Sequence, residues 1–291
     1  MRSVLGVLGG SGLYELDGTQ HSDWQCVHSP WGEPSDELLF TEFDGLPLRF
    51  LPRHGRGHRL PPGDINYRAN IDALKRAGVT DLISVSACGS LCEQLPPGTL
   101  VLVDQLIDRT VGRAASFFGP GLVAHVSLAE PMSPGLMDSI ADAATAEAIE
   151  LQRGGTYVAI EGPQFSTRAE SRLYQSWGAH VIGMTNLPEA RLAREAEICY
   201  ASIAMVTDYD CWRGAGAAVP EMLRVMDANL GSVRRLLARL FRDFPREHPT
   251  CPIGSDRALE QAIVTAPTAR DPQRVQMLDA IAGRVLRPRR E

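Results

Sequence analysis

The 291-residue sequence contains no apolar run of roughly eighteen residues or more, the length a membrane-spanning helix requires. Met1-Arg2-Ser3 leads directly into a strand-like segment instead of a secretory leader, so a cytoplasmic protein is the expectation. Cysteines are few and scattered. Cys26, Cys88, Cys92, Cys199, Cys211 and Cys251 have no compact spacing, which predicts reduced thiols rather than a disulfide framework. Neither Cys88 with Cys92 nor Cys26 with His28 is accompanied by further ligands at zinc-site spacing, and no metal is expected. Positive charge is not in excess: a net charge of −6 argues against a nucleic-acid partner. The short basic cluster Arg284, Arg287, Arg289 and Arg290 reads as a solvated tail. The sequence also lacks the G-x-G-x-x-G dinucleotide fingerprint, the Walker loop with its Gly-Lys-Ser/Thr, internal repeats and low-complexity segments.

What is present is ordinary globular composition. With 44% hydrophobic and 22% charged residues the chain can bury a sizeable core, which excludes general disorder. Short β-rich apolar runs alternate with amphipathic stretches, the pattern of a largely parallel sheet covered by helices. Strands are predicted at 4–8, 37–43, 46–51, 81–86, 100–104, 157–160, 180–184 and 200–206. Helices are predicted at 66–77, 136–151, 168–177 and 188–196. From Met222 to Phe241 a single stripe, Leu223, Met226, Leu230, Val233, Leu237 and Leu240, predicts a long core-closing helix. Nothing in the first 245 residues resembles a linker, so residues 1–245 are read as one domain. Residues 246–291 are read as a C-terminal extension of unknown role that packs on the surface or is partly mobile.

Chemistry-bearing residues fall where strands stop. In an open α/β sheet ligands bind outside the carboxyl ends of the strands. Gly9-Gly10-Ser11-Gly12 follows the first strand and lets backbone N–H groups and a hydroxyl approach an anion, although such a turn is as often purely structural. Leu51-Pro52-Arg53-His54-Gly55-Arg56-Gly57-His58 brings two arginines and two histidines to another exit, a set suited to phosphate or to a solvated basic loop. The small residues Ser86, Ala87, Cys88 and Gly89 leave room for an anion and a flat ring, or simply pack closely. Phe165 beside a glycine-proline turn can stack on a base, and Met184 offers a soft apolar surface for a sugar. Thr207-Asp208-Tyr209-Asp210 ends an apolar run with paired acids, which either grip a ligand or cap a turn. Taken together these exits hold anion binders, an aromatic, a methionine and two carboxylates. They contain neither a nucleophile-base pair nor a metal set.

These segments resemble the 5′-methylthioadenosine phosphorylases within the trimeric purine nucleoside phosphorylase group. The resemblance runs from about residue 4 to 243 and rests on long motifs: Gly9-Gly-Ser-Gly-Leu, Pro52-Arg-His-Gly-Arg-Gly-His, Ile65-Asn-Tyr-Arg-Ala-Asn-Ile, Ser86-Ala-Cys-Gly-Ser, Ile160-Glu-Gly-Pro-Gln-Phe-Ser, Met184-Thr with Pro188-Glu-Ala, and Thr207-Asp-Tyr-Asp-Cys-Trp. It implies the three-layer α/β nucleoside-phosphorylase fold, a mixed, largely parallel sheet flanked by helices. It also implies a phosphate site from Ser11, Arg53, His54, Ser86, Ala87 and Thr185, where Ser11 and Ser86 replace the threonines of many relatives and keep the hydroxyl. The ribose would lie over Met184 and the purine on Phe165, with Ser166, Asp208 and Asp210 along its edge. His58, Val219, Met222 and Leu223, joined by His125 from a neighbouring subunit, would form the pocket for the 5′ substituent. An apolar pocket suits a methylthio group better than a hydroxyl.

The implied reaction is phosphorolysis of S-methyl-5′-thioadenosine to adenine and 5-methylthioribose 1-phosphate, in purine and methionine salvage. Inorganic phosphate is the co-substrate, no cofactor is needed, and the enzyme would be a homotrimer. Asp208 is expected at purine N7 and Asp210 nearer the exocyclic amine. Relatives selective for 6-oxopurines carry Glu at the position of Ser166 and Asn at that of Asp208. A carboxylate favours the donor of a 6-amino purine, so a 6-oxopurine phosphorylase is the alternative reading. A nucleosidase would have no use for an anion cradle, and a non-catalytic nucleoside-binding protein would have no need of both acids.

Overall fold

Two long apolar runs set the centre of the molecule, which we describe from a computed structural model covering residues 1–10, 13, 18–214 and 219–286. Its strands are β1 (Leu5–Gly9), β2 (Gln20–Gln25), β3 (Leu38–Phe43), β4 (Leu46–Pro52), β5 (Asp81–Ser90), β6 (Leu100–Val103), β7 (Gln105–Arg109), β8 (Leu151–Arg153), β9 (Thr156–Ile160), β10 (Val181–Gly183) and β11 (Cys199–Tyr209). The α-helices are α1 (Tyr67–Arg76), α2 (Pro134–Ala146), α3 (Arg168–Ser176), α4 (Asn186–Glu195), α5 (Val219–Asp243), α6 (Pro272–Met277) and α7 (Gly283–Leu286). β5 and β11 are buried along almost their whole length, as continuous apolar runs in a covered parallel sheet should be.

β5 and β11 pair in parallel from Asp81 with Cys199 to Ser90 with Tyr209, with a register shift between Val206 and Asp208 that leaves Thr207 out of the ladder. On its other edge β5 changes partner. Leu5 to Leu8 of β1 pair with Asp81 to Ser84, whereas antiparallel β10 pairs with Gly89 and Ser90. The sheet therefore forks beside Val85 to Cys88. The order β2-β3-β4-β1-β5-β10-β9-β7 continues on both sides of the fork, and β11 carries β6 and β8. Pairing is parallel for β1 with β4 and β5, for β9 with β7 and β10, and for β6 with β8; it is antiparallel for β2 with β3, β3 with β4 and β6 with β11. This is the expected mixed, largely parallel sheet between helices.

The differences from the sequence reading have local causes. β2 is exposed and polar except for Trp24, which packs against the core, so neither an apolar run nor alternation marks it, and pairing with β3 makes it a strand. The predicted helix 136–151 ends at Ala146, because the chain turns at Ala148 with φ 51° and Leu151 starts β8. The segment from Pro249 runs over the surface but is anchored into the protein: most of its residues are exposed or half-buried, while Leu259, Leu278, Ile281 and Ala282 belong to the main hydrophobic core. Glu197 fastens it, accepting from Arg284 Nε and Nη2 at 2.8 and 2.6 Å and from the Leu259 backbone N–H at 2.9 Å. Among the described residues no helix is long and apolar enough to cross a membrane.

Candidate active site

The fork in the sheet lies next to a buried arginine. Arg53, at the exit of β4, is 2% exposed and forms a bidentate pair with Glu189, Nε to Oε2 at 2.9 Å and Nη2 to Oε1 at 3.2 Å. Nη2 also donates to the Leu8 carbonyl and to Ser84 Oγ, and Nη1 donates to the Val85 carbonyl. Arg53 thereby binds together the exits of β1, β4 and β5 and the first turns of α4. Glu189 is further held by Tyr200 Oη at 2.8 Å. Nη1 has two hydrogens and one acceptor among the described residues, which leaves one donor for an anion.

Hydroxyl groups converge on the same place. Ser86 Oγ on β5 and Thr185 Oγ1 after β10 are buried and have no hydrogen-bond partner among the described residues. Buried polar groups are almost always paired, so two orphaned hydroxyls beside an arginine make a ready anion cradle. Ala87 is the single exposed residue of β5, and it opens the strand to that space. His54 is more narrowly defined than the sequence suggested. Its Nδ1 lies 2.8 Å from the Leu60 carbonyl and must donate to it, while burial drives the ring pKa down to about 4. The ring is therefore neutral at pH 7, and Nε2 accepts hydrogen bonds, as from the O–H of a monohydrogen phosphate. His58 is exposed and stacks on His54 with ring centroids 4.2 Å apart. Ser11 lies outside the described residues.

A second group of orphaned atoms marks the other end of the site. Asp208 and Asp210 are 8% and 7% exposed at the exit of β11. Burial raises the pKa of both, and the neighbouring Asp210 charge raises that of Asp208 further. Asp208 Oδ1 accepts from Thr207 Oγ1 at 2.8 Å, whereas Asp210 Oδ2 and Ser166 Oγ are buried without a partner among the described residues. Cys211 Sγ donates to the Ser166 carbonyl at 3.2 Å, tying the Phe165 loop to these acids. Gly89 permits the approach, since a Cβ there would sit 3.2 Å from Ile182 and 3.4 Å from the Asp210 Cβ.

Met184, at the exit of β10 beside Thr185, packs on Gly162, where a Cβ would come 2.4 Å from its sulfur. Phe165 is 61% exposed. Val219, Met222 and Leu223 occupy the first turns of α5, with Val219 and Leu223 largely exposed. His125 stands apart: its N–H donates to the Ala262 carbonyl, and it lines a cavity of about 380 Å³ with Arg257 and Glu260 from the C-terminal segment.

Two residues that sequence reasoning missed hold the site in shape. Arg113 is a clamp: Nη1 donates to the Met184 and Leu187 carbonyls and to Tyr67 Oη, Nη2 to the Ile160 and Glu161 carbonyls, and Nε to the Glu161 carboxylate. It joins the loops carrying Phe165 and Thr185. Arg113→Lys keeps the charge and loses the fork, so kcat/KM for the nucleoside should fall by about 100-fold, the scale of an ångström misplacement, while Tm drops by only a few degrees. Steady-state kinetics beside calorimetry checks this. Tyr157, the second, is buried under Gly183, where a Cβ would fall 1.9 Å from its Oη. Gly183→Ala must displace the ring or β10, and thermal melts should show a loss of about 1–3 kcal/mol. Neither residue sits in a recognisable motif, because each acts through partners remote in sequence.

The sequence matches the Phosphorylase superfamily over residues 4–242. It is 62% identical over 288 residues to the S-methyl-5′-thioadenosine phosphorylase of Bradyrhizobium diazoefficiens, covering 98% of this chain and 99% of that one. An alignment of that length takes in nearly all of the C-terminal segment. Among solved structures, a methylthioadenosine phosphorylase sourced from an antarctic soil metagenomic library superposes with a TM-score of 0.90 at 42% identity, covering 96% of this chain and 99% of that one. A variant of the adenosine/methylthioadenosine phosphorylase from Schistosoma mansoni, in complex with methylthioadenosine, gives a TM-score of 0.83 at 35% identity, covering 89% and 97%.

Proposed function

The chain belongs to the phosphorylase superfamily, and within it to the S-methyl-5′-thioadenosine phosphorylases, and from that premise we propose that it cleaves S-methyl-5′-thioadenosine with inorganic phosphate. The products are adenine and 5-methylthioribose 1-phosphate. The observation that supports this best is the pairing of orphaned atoms at the strand exits: two buried hydroxyls, Ser86 on β5 and Thr185 after β10, and a buried carboxylate oxygen with a hydroxyl, Asp210 after β11 and Ser166. One set suits an anion and the other the polar edge of a base.

In this reading a phosphate oxygen attacks the anomeric carbon as the C–N9 bond breaks, and the bond pair leaves with the purine. Arg53, Ser86, Ala87, Thr185, His54 and Ser11 position the phosphate beneath the electron-poor sugar. Asp208, its pKa raised by burial, delivers a proton to N7 of the departing base. Asp210 and Ser166 read the adenine edge, Phe165 covers the ring, and Met184 supports the ribose. His58, Val219, Met222 and Leu223 surround the 5′ substituent. The reaction needs no cofactor beyond its co-substrate. We further place the enzyme in the cytoplasm, in purine and methionine salvage, as a homotrimer. The remoteness of His125 from its own site and the exposure of Val219 and Leu223 both support completion of the pocket by a neighbouring copy. Light scattering should then give the mass of three 31.7 kDa chains.

Turnover of methylthioadenosine, adenosine and inosine, each with phosphate and in rigorously phosphate-free buffer, tests the assignment. Methylthioadenosine should lead and should require phosphate. Preferred turnover of inosine, or cleavage that persists without phosphate, would overturn it.

A further inference from the structure

Four side chains of metal-ligating type are buried together at the end of the sheet opposite the strand exits. Asp81 opens β5, Cys199 opens β11, and His248 and Cys251 come from the segment after α5. One ligand atom from each of Asp81, Cys199 and His248 lies within 4.8 Å of the other two. His248 Nδ1 is 2.9 Å from Asp81 Oδ2, with both side chains about 95% buried (5% and 6% exposed). The Cys251 thiol faces that of Cys199. Hydrogen bonding accounts for the acid and the imidazole. The sulfurs are held only weakly, since thiols are poor donors and acceptors: Cys251 meets Ser133 Oγ at 3.9 Å, the Ile253 and Ser255 backbone, and the Cys199 thiol.

We propose that Asp81, Cys199, His248 and Cys251 form a structural site for a divalent transition metal, with Zn²⁺ the ion this donor set fits best. Two thiolates, an imidazole and a carboxylate are a closed tetrahedral set for zinc, with no position left for substrate. Zinc bonds of roughly 2.0–2.3 Å place ligand atoms roughly 3.5 Å apart, so the Asp81, Cys199 and His248 atoms, now within 4.8 Å of one another, close in by about 1.3 Å at most, and Cys251, which lies outside that group, swings in as the fourth ligand. Supporting groups of the kind that orient metal ligands are in place. Thr80 Oγ1 donates to Asp81 Oδ2 at 2.7 Å, and the Ile253 and Ser255 backbone N–H groups approach the Cys251 sulfur. The sequence carries one local trace, His248-Pro-Thr-Cys251, a two-residue spacing typical of half a zinc site. The other half is split between positions 81 and 199, so spacing alone could not reveal the set. Binding releases the thiol protons, and the ion fastens the C-terminal segment to the starts of the two central strands, away from every residue assigned to the reaction.

The full chain, purified without chelators, should carry about one zinc per chain by elemental analysis. Replacement by Co²⁺ should produce thiolate-to-metal charge-transfer absorption that is lost in Cys251→Ser. Stripping the metal should lower Tm by about 5–10 °C while turnover at permissive temperature stays near that of the loaded protein. A metal-free chain that takes up no Zn²⁺ at micromolar concentration in competition with a chromophoric chelator would overturn the proposal. So would a Co²⁺ spectrum without thiolate bands, or a Cys199–Cys251 disulfide in the purified chain. The wild-type Co²⁺ spectrum decides the matter even if Cys251→Ser does not fold.

Discussion

Replacing Asp208 by asparagine should lower kcat for methylthioadenosine by about 10²–10⁴-fold, the contribution of a positioned general acid. The same change should raise Tm at neutral pH. Both effects arise from the burial of a carboxylate that Thr207 alone is seen to support. An aspartate with a folded-state pKa above its unfolded value contributes stability that is complete below the unfolded pKa and is lost as pH rises through the folded one. For Asp208 and Asp210 the shift is upward, so at neutral pH each carboxylate costs stability, and an uncharged isostere removes that cost. Catalysis follows the same sign. The protonated acid that N7 requires is depleted as pH rises through the raised pKa, so kcat should fall on the alkaline side, and that limb should vanish in Asp208→Asn. Asp210→Asn should also melt higher, but its kinetic defect should be about tenfold to a hundredfold in kcat/KM, as for loss of a hydrogen bond to a charged group. Near-wild-type turnover in Asp208→Asn beside an inactive Asp210→Asn would reverse the two roles.

The parts of this architecture legible in the sequence are those in which a single segment carries the signal. β5 and β11 are apolar runs that end in small or charged residues, so both the central strands and their exits could be read directly. Their true ends lie further on, at Ser90 and Tyr209, because pairing with each other extends both strands into residues that local propensity would assign to a loop. β2 could not be read at all, since its only apolar contact is the single residue Trp24 and the strand exists through β3. The site divides in the same way. Arg53, Ser86, Thr185 and the two acids sit in short motifs at strand exits, whereas Arg113, Tyr157 and Glu189 act through contacts that only the fold creates. Glu189 lies inside a quoted motif, yet its partner is 136 residues away. The fork in the sheet, which makes Val85 to Cys88 available to a ligand, is a property of pairing and leaves no mark in composition.

Glu189→Gln tests the site through that distant pair. In the native chain Glu189 is 1% exposed and its only described partners are Arg53 and Tyr200, so the substitution leaves a buried guanidinium without its counter-charge. Breaking a buried pair from one side costs about 3–5 kcal/mol, which for a chain of this size lowers Tm by roughly 10 °C in phosphate-free buffer. The amide oxygen can still accept from Nε or Nη2, and the Leu8, Val85 and Ser84 acceptors continue to hold the fork in place, so the loss should be chiefly electrostatic. Phosphate then has a second role. An anion bound beside Arg53 supplies the missing charge, and a ligand that binds the folded state more tightly raises its stability more. Excess phosphate should therefore raise the Tm of the variant by more than it raises that of the wild type. A neutral phosphate mimic should not. Melting curves across a phosphate series measure the difference directly, and equal stabilisation of both proteins would mean that the anion does not sit against Arg53. Equal stabilisation would also remove the main electrostatic support for phosphorolysis at this fork, whereas a larger gain in the variant would tie Arg53, Glu189 and the co-substrate to one site.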